Sequence, residues 1–458
     1  MASVLRENLG TLHDKLTVKL SNSDYFPAFE KNLKQYAKNA NIPGFRKGMV
    51  PVGMVRKMYG PAIFQEEIIR AAGKGLEDYL KEQNLDIFGQ PMMLHEADRA
   101  QPDINNPGDV DFSFEIGLKP EISLDLLNGN TPLTRYHIVV SDKMLTDEID
   151  RIRKQYGTTD PQSEVQDGED VLEVNFEACD ESGSVAEGVT PHEYKGTLAS
   201  LPVSLQEKLK GSHLEATLVF RPADVCTEKE LDQFVGKTLK ATPQQADSFF
   251  KLTLKTVGRI IPKELGTELY AQVFERDQIE TEEAFRQKLA EEIGREYDRI
   301  TNDRLQNEIF EMLVHQTPIA LPLEFLKRWL REGGEHPKSA EDVEKEFGRF
   351  EHSLRWQLIS DKYIRENQLA ISKEEIEADI KTKVMRYFGL ENEEDAPWMD
   401  GYVDKMFKDE KMLDETYNRL LTEKLFRSLE TRFAVQVADI SEEEFFRLND
   451  AHATHHHH

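Results

Sequence analysis

The 458-residue chain has few cysteines, a deficit of basic residues and no long apolar run. Two cysteines are too few for a disulfide scaffold, so Cys179 and Cys226 are expected to be free thiols in a reducing compartment. No segment approaches the roughly 18–20 apolar residues of a membrane helix, which excludes a membrane-spanning protein. Lys and Arg number 58 against 85 Asp and Glu, and the net charge of -27 argues against a protein that coats nucleic acid.

Motifs for catalysis and cofactor binding are also missing. The sequence has no Gly-rich phosphate loop, no HExxH and no GxSxG. Its histidines, among them His13, His192, His213 and His315, are scattered without ligand spacing, so neither a metal site nor a cofactor is expected. The four histidines at 455–458 are interpreted as a purification tag, and the N-terminal MASVLRENLG lacks the apolar core of a secretory signal. The expected location is therefore the cytoplasm.

Positive charge is concentrated at the N-terminal end. Residues 1–60 contain ten Lys or Arg and four Asp or Glu, a balance of +6 on a chain whose total is -27. One small basic end on an acidic body predicts a docking surface for an anionic partner. A basic amphipathic helix with a solvated face would give the same pattern, so charge alone leaves both interpretations open.

The first 118 residues combine strand and helix periodicities. The predicted elements are strands at His13–Leu20 and Asp109–Leu118 and helices at 24–40 and Pro61–Gln83. The first helix is expected to bury Phe29, Leu33 and Tyr36, which are spaced by four and three. The second strand is expected to alternate strictly between a buried and an exposed face. These patterns predict a small α+β N-terminal domain.

The rest of the chain divides into a β-rich part and a helical part. Short alternating strands separated by turn residues follow the first connector. Apolar residues then recur at helical spacing almost to the end, with capping boxes at Ser372 and Ser441. The predicted fold is α+β multidomain: an N-terminal domain at 1–118, a connector of one strand and one helix at 119–160, a β-rich domain at 161–261, an all-α domain with long arms at 262–450 and a disordered tail at 451–458.

The helical part carries aromatic and methionine residues beyond those that fit one helix stripe. Methionine is flexible and polarizable, so a Met-rich surface adapts to varied apolar partners. Ordinary core packing is the alternative for any one of these side chains. As a set they predict a concave apolar surface for unfolded chains, and the candidate contacts are Trp329, Trp356, Met385, Tyr387, Phe388, Met406 and Phe407.

Helix-breaking residues are densest between the two N-terminal helices. Two prolines and two glycines fall within positions 43–51, which predicts an exposed, well-defined loop with Phe45, Arg46 and Lys47 at its tip. The planar guanidinium of Arg46 fits phosphate or carboxylate, and Phe45 adds an apolar anchor. Such a tip suits a surface of RNA phosphates and acidic side chains. An ordinary turn with a buried Phe is the alternative.

The stretch NIPGFRKGMVPVGMVRKMYG at 41–60 closely resembles the ribosome-docking signature of bacterial trigger factors, usually G-F-R-x-G-K-x-P followed by a helix that ends in Y-G. The matching residues are Gly44, Phe45, Arg46, Lys47, Gly48, Pro51, Tyr59 and Gly60. Met49 departs from the pattern, because the family usually has Lys there. Length, domain order and the helical C-terminal part extend the resemblance over the whole chain.

This resemblance implies an ATP-independent, ribosome-associated chaperone that shelters nascent or unfolded polypeptides. It implies docking through residues 44–48 on the large ribosomal subunit near the exit tunnel, at both protein and RNA. It also implies that no cofactor, membrane or free nucleic acid is bound, and that free copies form a weak homodimer. The alternatives are a holdase that works without the ribosome and a prolyl isomerase that acts on nascent chains.

The middle domain of trigger factors resembles FKBP-type prolyl isomerases, but the present chain departs from their pattern. It has NFEA at 175–178 where the family has D-F-x-G, and LPVSL at 201–205 where the family has a run like I-P-G-F-E. The family resemblance makes Phe176, Phe220 and Phe250 candidates for a remnant prolyl pocket. Such a pocket works by binding the twisted amide more tightly than the planar one. With several walls absent, isomerase activity is expected to be weak or absent.

Overall fold

The computed structural model describes residues 2–39, 45, 49–94, 103–275, 278–333, 337–390 and 398–453. Mixed helices and strands confirm the predicted α+β multidomain class. The chain divides into two compact units, one of residues 1–135 with 302–437 and one of residues 136–301 with 438–458. The domain boundaries predicted at 118, 160 and 261 stay predictions.

A four-stranded sheet and two helices form the N-terminal part of the first unit. The elements are β1 (Ser3–Gly10), β2 (His13–Leu20), α1 (Asn22–Asn39), α2 (Val52–Glu82), β3 (Met92–Met93) and β4 (Val110–Gly117). The antiparallel strands lie in the order β1-β2-β4-β3. Alternate residues of β2, Leu16 and Val18 among them, pack with Phe29 of α1 and Phe64 of α2, whose rings meet edge to face at 5.1 Å. Both predicted strands are confirmed.

Two details of the N-terminal helices differ from the sequence prediction. Helix α2 begins at Val52, and Pro61 lies inside it rather than at its start, because a proline there sacrifices only one backbone hydrogen bond of a helix held by packing. Tyr36 is exposed and its ring packs on Tyr59 at 5.0 Å. The buried face of α1 instead repeats every four residues and consists of Tyr25, Phe29, Leu33 and Ala37.

A second sheet dominates the second unit. The next elements are β5 (Pro132–Ile138), α3 (Asp142–Gln155), β6 (Thr158–Gln162), β7 (Val171–Cys179), β8 (His192–Thr197), α4 (Val203–Leu209), β9 (Thr217–Phe220), α5 (Pro222–Val225), α6 (Glu228–Gln233), β10 (Phe249–Ile261) and α7 (Thr267–Val273). The strand order is β6-β10-β7-β8, and β9 also pairs with β10. The strand patterns predicted between 161 and 261 thus form one antiparallel sheet around β10.

Asp170 fixes the loop that leads into β7. Its side chain is fully buried, and it accepts hydrogen bonds from the backbone N–H groups of Gln166 and Asp167 and from the guanidinium of Arg259 at 3.0 Å. Burial raises the pKa of this carboxyl, but these bonds outweigh burial and hold the pKa below its ordinary value. The stabilisation is therefore present at neutral pH and is lost as the pH falls through the lowered pKa.

Helices form most of the remaining chain. They are α8 (Glu282–Gln316), α9 (Leu323–Glu332), α10 (Ala340–Glu366), α11 (Lys373–Phe388), α12 (Met399–Met406), α13 (Glu410–Glu430) and, after strand β11 (Ala434–Ile440), α14 (Glu442–Ala453). Ser372 begins α11 with a capping box, as predicted. Strand β11 corrects the all-helical prediction: it pairs with β5, some 300 positions earlier in the chain. None of the described helices combines the length and apolar character needed to cross a membrane.

Strand β4 is buried on both faces, not on one as strict alternation predicts. Its helix-facing residues join the core with α1 and α2, and its other face lies under α9. Phe325 of α9 is fully buried against Gly117, where an added Cβ would lie 2.3 Å from the ring. Arg328 of α9 donates to Glu115 at 2.7 Å. Helix α9 therefore binds the N-terminal sheet to the helices of residues 302–437 within the first unit.

Replacement of Gly117 by alanine tests this packing. Because the new methyl group would overlap the Phe325 ring, we expect Gly117→Ala to destabilise the first unit by about 1–3 kcal/mol. The measurement is urea unfolding followed by tryptophan fluorescence, since all three tryptophans lie in that unit. Gly10→Ala is the matched control in the same sheet, since nothing lies within 4 Å of its Cβ position; a change within about 0.5 kcal/mol is expected. Equal effects of both changes would contradict the packing account.

Candidate functional site

The predicted docking loop lies between α1 and α2. Gly44, Arg46, Lys47 and Gly48 lie outside the described residues. Phe45 is described, and its side chain is 37% exposed. This differs from the buried ring of an ordinary turn.

Exposed apolar residues continue from Phe45 into the first turns of α2. Met49 is 72% exposed, and Met54 and Met58, one helical turn apart, are exposed as well. The adjacent α1 carries Lys31, Lys34 and Lys38 along one groove. Sequence reasoning found the charged tip but missed these exposed methionines; the spacing of Met54 and Met58 by four residues was the available signal. The exposed methionines offer flexible apolar contacts.

A second exposed apolar surface lies where α11, α12 and α13 meet. Four aromatic rings follow one another there and form what we term the aromatic edge: Tyr387, Phe388, Trp398 and Tyr402. Consecutive ring centroids are 5.0, 5.2 and 6.1 Å apart, each pair edge to face. Tyr387 is 83% and Phe388 55% exposed, far more than large apolar side chains of a closed core.

Local helix geometry explains why these rings face solvent. Ile376, Ile380 and Val384 repeat every four residues along α11 and are buried against α12. Gly389 ends the helix in the left-handed conformation, with φ of +65°, so Phe388 is the last helical residue. The core beneath is therefore already complete, and the rings beyond it remain available to a ligand.

The aromatic edge borders an open groove whose walls mix apolar and charged side chains. Met406 and Met412 line it beside the rings, and Lys383, Glu415 and Arg419 contribute polar atoms. Arg419 pairs with Asp379 and with Glu423, which keeps its guanidinium on the rim. A groove of this kind can hold varied apolar segments through many small contacts.

The seven residues predicted to contact unfolded chains fall into three groups. Tyr387, Phe388 and Met406 line the groove. Met385 and Phe407 are partly buried and pack against the core of α11 and α12. Trp329 and Trp356 pack in the other helical core, where Trp356 stacks on Phe426 with ring centroids 5.5 Å apart. Tyr402 lines the groove although sequence reasoning did not single it out.

The three aromatic residues proposed for a prolyl pocket lie together inside the β-rich domain. Phe176, Phe220 and Phe250 are 2, 4 and 5% exposed. The Phe220 centroid lies 6.1 Å from that of Phe176 and 6.3 Å from that of Phe250, and Phe234 packs against Phe176 and Phe220. These rings pack against one another and form part of the hydrophobic core.

Neither cysteine is an activated nucleophile. Both thiols are free. Burial, with a further effect from Glu230, raises the pKa of Cys226 to about 11. Burial also raises the pKa of Cys179. Because the thiolate is the reactive form, the raised pKa lowers the reactivity of both thiols at neutral pH.

Comparisons with known proteins agree at both ends of the chain. The family model described as bacterial trigger factor protein matches residues 2–152, and the model described as probable trigger factor, C-terminal domain, matches residues 301–449. The trigger factor of Prosthecochloris aestuarii is 24% identical over 450 residues, covering 94% of this chain and 96% of the relative. That of Salinibacter ruber is 24% identical over 441 residues, covering 92% and 90%.

A solved structure has the same fold. It belongs to work on promiscuous substrate recognition in the folding and assembly activities of the trigger factor chaperone. It covers 93% of this chain and 98% of its own, with a TM-score of 0.51 and 18% sequence identity.

Proposed function

The chain belongs to the bacterial trigger factor family, and from that membership we propose that its 41–51 loop and its aromatic edge are the two working surfaces of a ribosome-associated chaperone. The chaperone is ATP-independent and binds nascent or unfolded polypeptides. The observation that carries the assignment of surfaces is that both lie in the first compact unit, although more than 300 positions separate them in the chain.

The loop is proposed to dock on the large ribosomal subunit near the nascent-chain exit, in the cytoplasm. Arg46 and Lys47 supply charge for RNA phosphates and acidic protein side chains, and Phe45 with Met49 supplies apolar contact. The chain's net charge of -27 disfavours binding to free RNA, to which only the basic end is attracted. Free copies are proposed to form a weak homodimer, as the family resemblance implies.

The aromatic edge is proposed to hold apolar segments of unfolded chains. Its rings are exposed and held by a complete core beneath, so binding needs no rearrangement of the protein. The groove is open, so contacts are shallow and release is fast. Such a surface requires no ATP to let its client go.

The middle domain is proposed to assist client binding rather than to catalyse proline isomerisation efficiently. The supporting observations are the close packing of Phe176, Phe220 and Phe250 and the departures from the family pattern at 175–178 and 201–205. Efficient catalysis requires an open aromatic-walled pocket that is complementary to the twisted prolyl amide.

Exchange of the two most exposed rings tests the client surface. We expect Tyr387→Ser with Phe388→Ser to raise the Kd for an unfolded client about fivefold or more, since about 1 kcal/mol or more of apolar contact is lost. The fold should tolerate the change because both rings are exposed. The measurements are client binding by fluorescence anisotropy and suppression of client aggregation.

Phe446→Ser is the matched control for the client surface, because Phe446 is an exposed phenylalanine of α14 in the other unit. It should leave the Kd unchanged. Unaltered client binding by the double variant would remove the aromatic edge from the mechanism.

An isomerase assay tests the assignment of the middle domain. We expect the chain to accelerate cis/trans conversion of a short Xaa-Pro peptide at least about tenfold less than an FKBP at equal concentration, because the pocket rings are packed together. The measurement is the relaxation rate of the peptide as a function of protein concentration. Acceleration equal to that of the FKBP would show that the domain opens and is a working isomerase.

Ribosome co-sedimentation tests the docking loop. We expect Phe45→Ala, Arg46→Ala, Lys47→Ala to weaken ribosome binding at least about tenfold and to reduce its salt dependence, since two cationic contacts are removed. Lys208→Ala with Lys210→Ala removes the same charge from exposed positions elsewhere and should bind normally. Normal binding by the loop variant would exclude the loop as the docking site, while the client-binding measurement would remain valid.

A further inference from the structure

Two histidines and a glutamate converge between α8 and α10 in the first unit. Glu311 and His315 lie one turn apart on α8, and His352, 41 positions after Glu311, lies in α10. Oε2 of Glu311 is 3.0 Å from Nε2 of His315 and 3.3 Å from Nε2 of His352. One nitrogen of each imidazole and one carboxylate oxygen all lie within 4.8 Å of one another.

These separations match those between the ligands of a small divalent ion. Metal–nitrogen and metal–oxygen bonds of about 2.0–2.2 Å in tetrahedral geometry place neighbouring ligand atoms about 3.3 Å apart. The two observed contacts are close to that value, and the two imidazole nitrogens lie within 4.8 Å of each other. The contact between His352 and Glu311 is a hydrogen bond, and His315 lies at ion-pair distance from the same carboxylate. In a neutral imidazole that binds an ion through Nε2, Nδ1 would carry the proton.

We propose that Glu311, His315 and His352 form a divalent transition-metal site that links α8 to α10. Two imidazoles and one carboxylate suit Zn²⁺, Ni²⁺ or Co²⁺, whereas Mg²⁺ and Ca²⁺ prefer oxygen ligands. The net charge of -27 raises the local concentration of cations at the surface.

The exposure of the three side chains would allow an ion to enter the site from solvent. His315 is exposed, while Glu311 and His352 are half-buried, so an ion can enter and keep water in its remaining positions. Phe310 packs edge to face on the His352 ring at 5.1 Å and on Trp356 at 4.9 Å. This contact restrains the imidazole of His352, and a restrained ligand loses less conformational entropy when it binds a metal.

The site is separate from both proposed working surfaces, and its effect would be on stability. An ion that binds only the folded unit raises its free energy of unfolding. At metal concentrations above Kd, the increase grows with the logarithm of the ratio of metal concentration to Kd. A bound ion would thus link α8 to α10. The stacked rings of Trp356 and Phe426 pack against the same hydrophobic core.

Metal titration of the chain ending at Thr454, without the histidines at 455–458, tests the proposal. We expect one equivalent of Co²⁺ to bind and produce a visible absorption band that Zn²⁺ abolishes by displacement. We also expect Zn²⁺ to raise the midpoint of thermal unfolding followed by tryptophan fluorescence. No binding of either metal by this chain, or binding without the band, would overturn the proposal.

Single variants assign the ligands. Glu311→Gln, His315→Ala and His352→Ala should each raise the Kd for Zn²⁺ at least about tenfold. His137→Ala is the matched control, since His137 contacts the carboxylate of Asp439 at 2.9 Å outside the proposed site, and should not change the Kd. Metal-free melting curves show whether each variant folds. If folded His315→Ala and His352→Ala bind Zn²⁺ like the unchanged chain, the ion lies elsewhere and the assignment is wrong.

Discussion

The packing of α9 on β4 is the contact on which the first unit depends. Arg328 and Glu115, 213 positions apart, meet at 2.7 Å, and the fully buried Phe325 ring occupies the space that the absent side chain of Gly117 leaves. This contact joins the N-terminal sheet to the helices that carry the aromatic edge, and the proposed docking loop lies between α1 and α2, which pack on that sheet. In the proposed function, this packing keeps the loop and the aromatic edge within one compact unit.

The negative net charge of the chain counteracts the tendency of its exposed apolar surfaces to associate. A protein that displays Tyr387, Phe388 and Met49 to solvent risks association with other copies of itself. The large negative net charge opposes such association, so the exposed apolar surfaces remain accessible for weak contacts with other chains. The basic excess of residues 1–60 is confined to the end that carries the loop, so attraction to an anionic partner is directed to that end.

The parts of the fold that are set by local pattern were predictable from the sequence. The alternation of His13–Leu20 and the capping box at Ser372 both specify the observed elements. Strand β11 was missed because its seven residues lie in a helical context and its partner is far away in the chain. The start of α2 was misplaced because Pro61 reads as a helix start, whereas tertiary packing tolerates it inside the helix.

The candidate sites show the same division between local and long-range information. The loop was found through a contiguous motif. The groove combines Phe388 of α11 with Met406 of α12 and Met412 of α13, and which aromatic residues would be exposed depended on how these helices meet. The approach of His352 to Glu311 likewise depends on helix packing, although the spacing of Glu311 and His315 is visible in the sequence.

Site-specific photo-cross-linking on ribosomes that carry a stalled nascent chain tests the central claim most directly. A cross-linkable residue at Phe388 is predicted to label the nascent chain, the same residue at Phe446 is predicted to label it far less, and alanines at Phe45, Arg46 and Lys47 should abolish the Phe388 product. Equal labelling from both positions, or labelling from Phe388 that survives the loop substitutions, would contradict the account of a docked chaperone with a defined client surface.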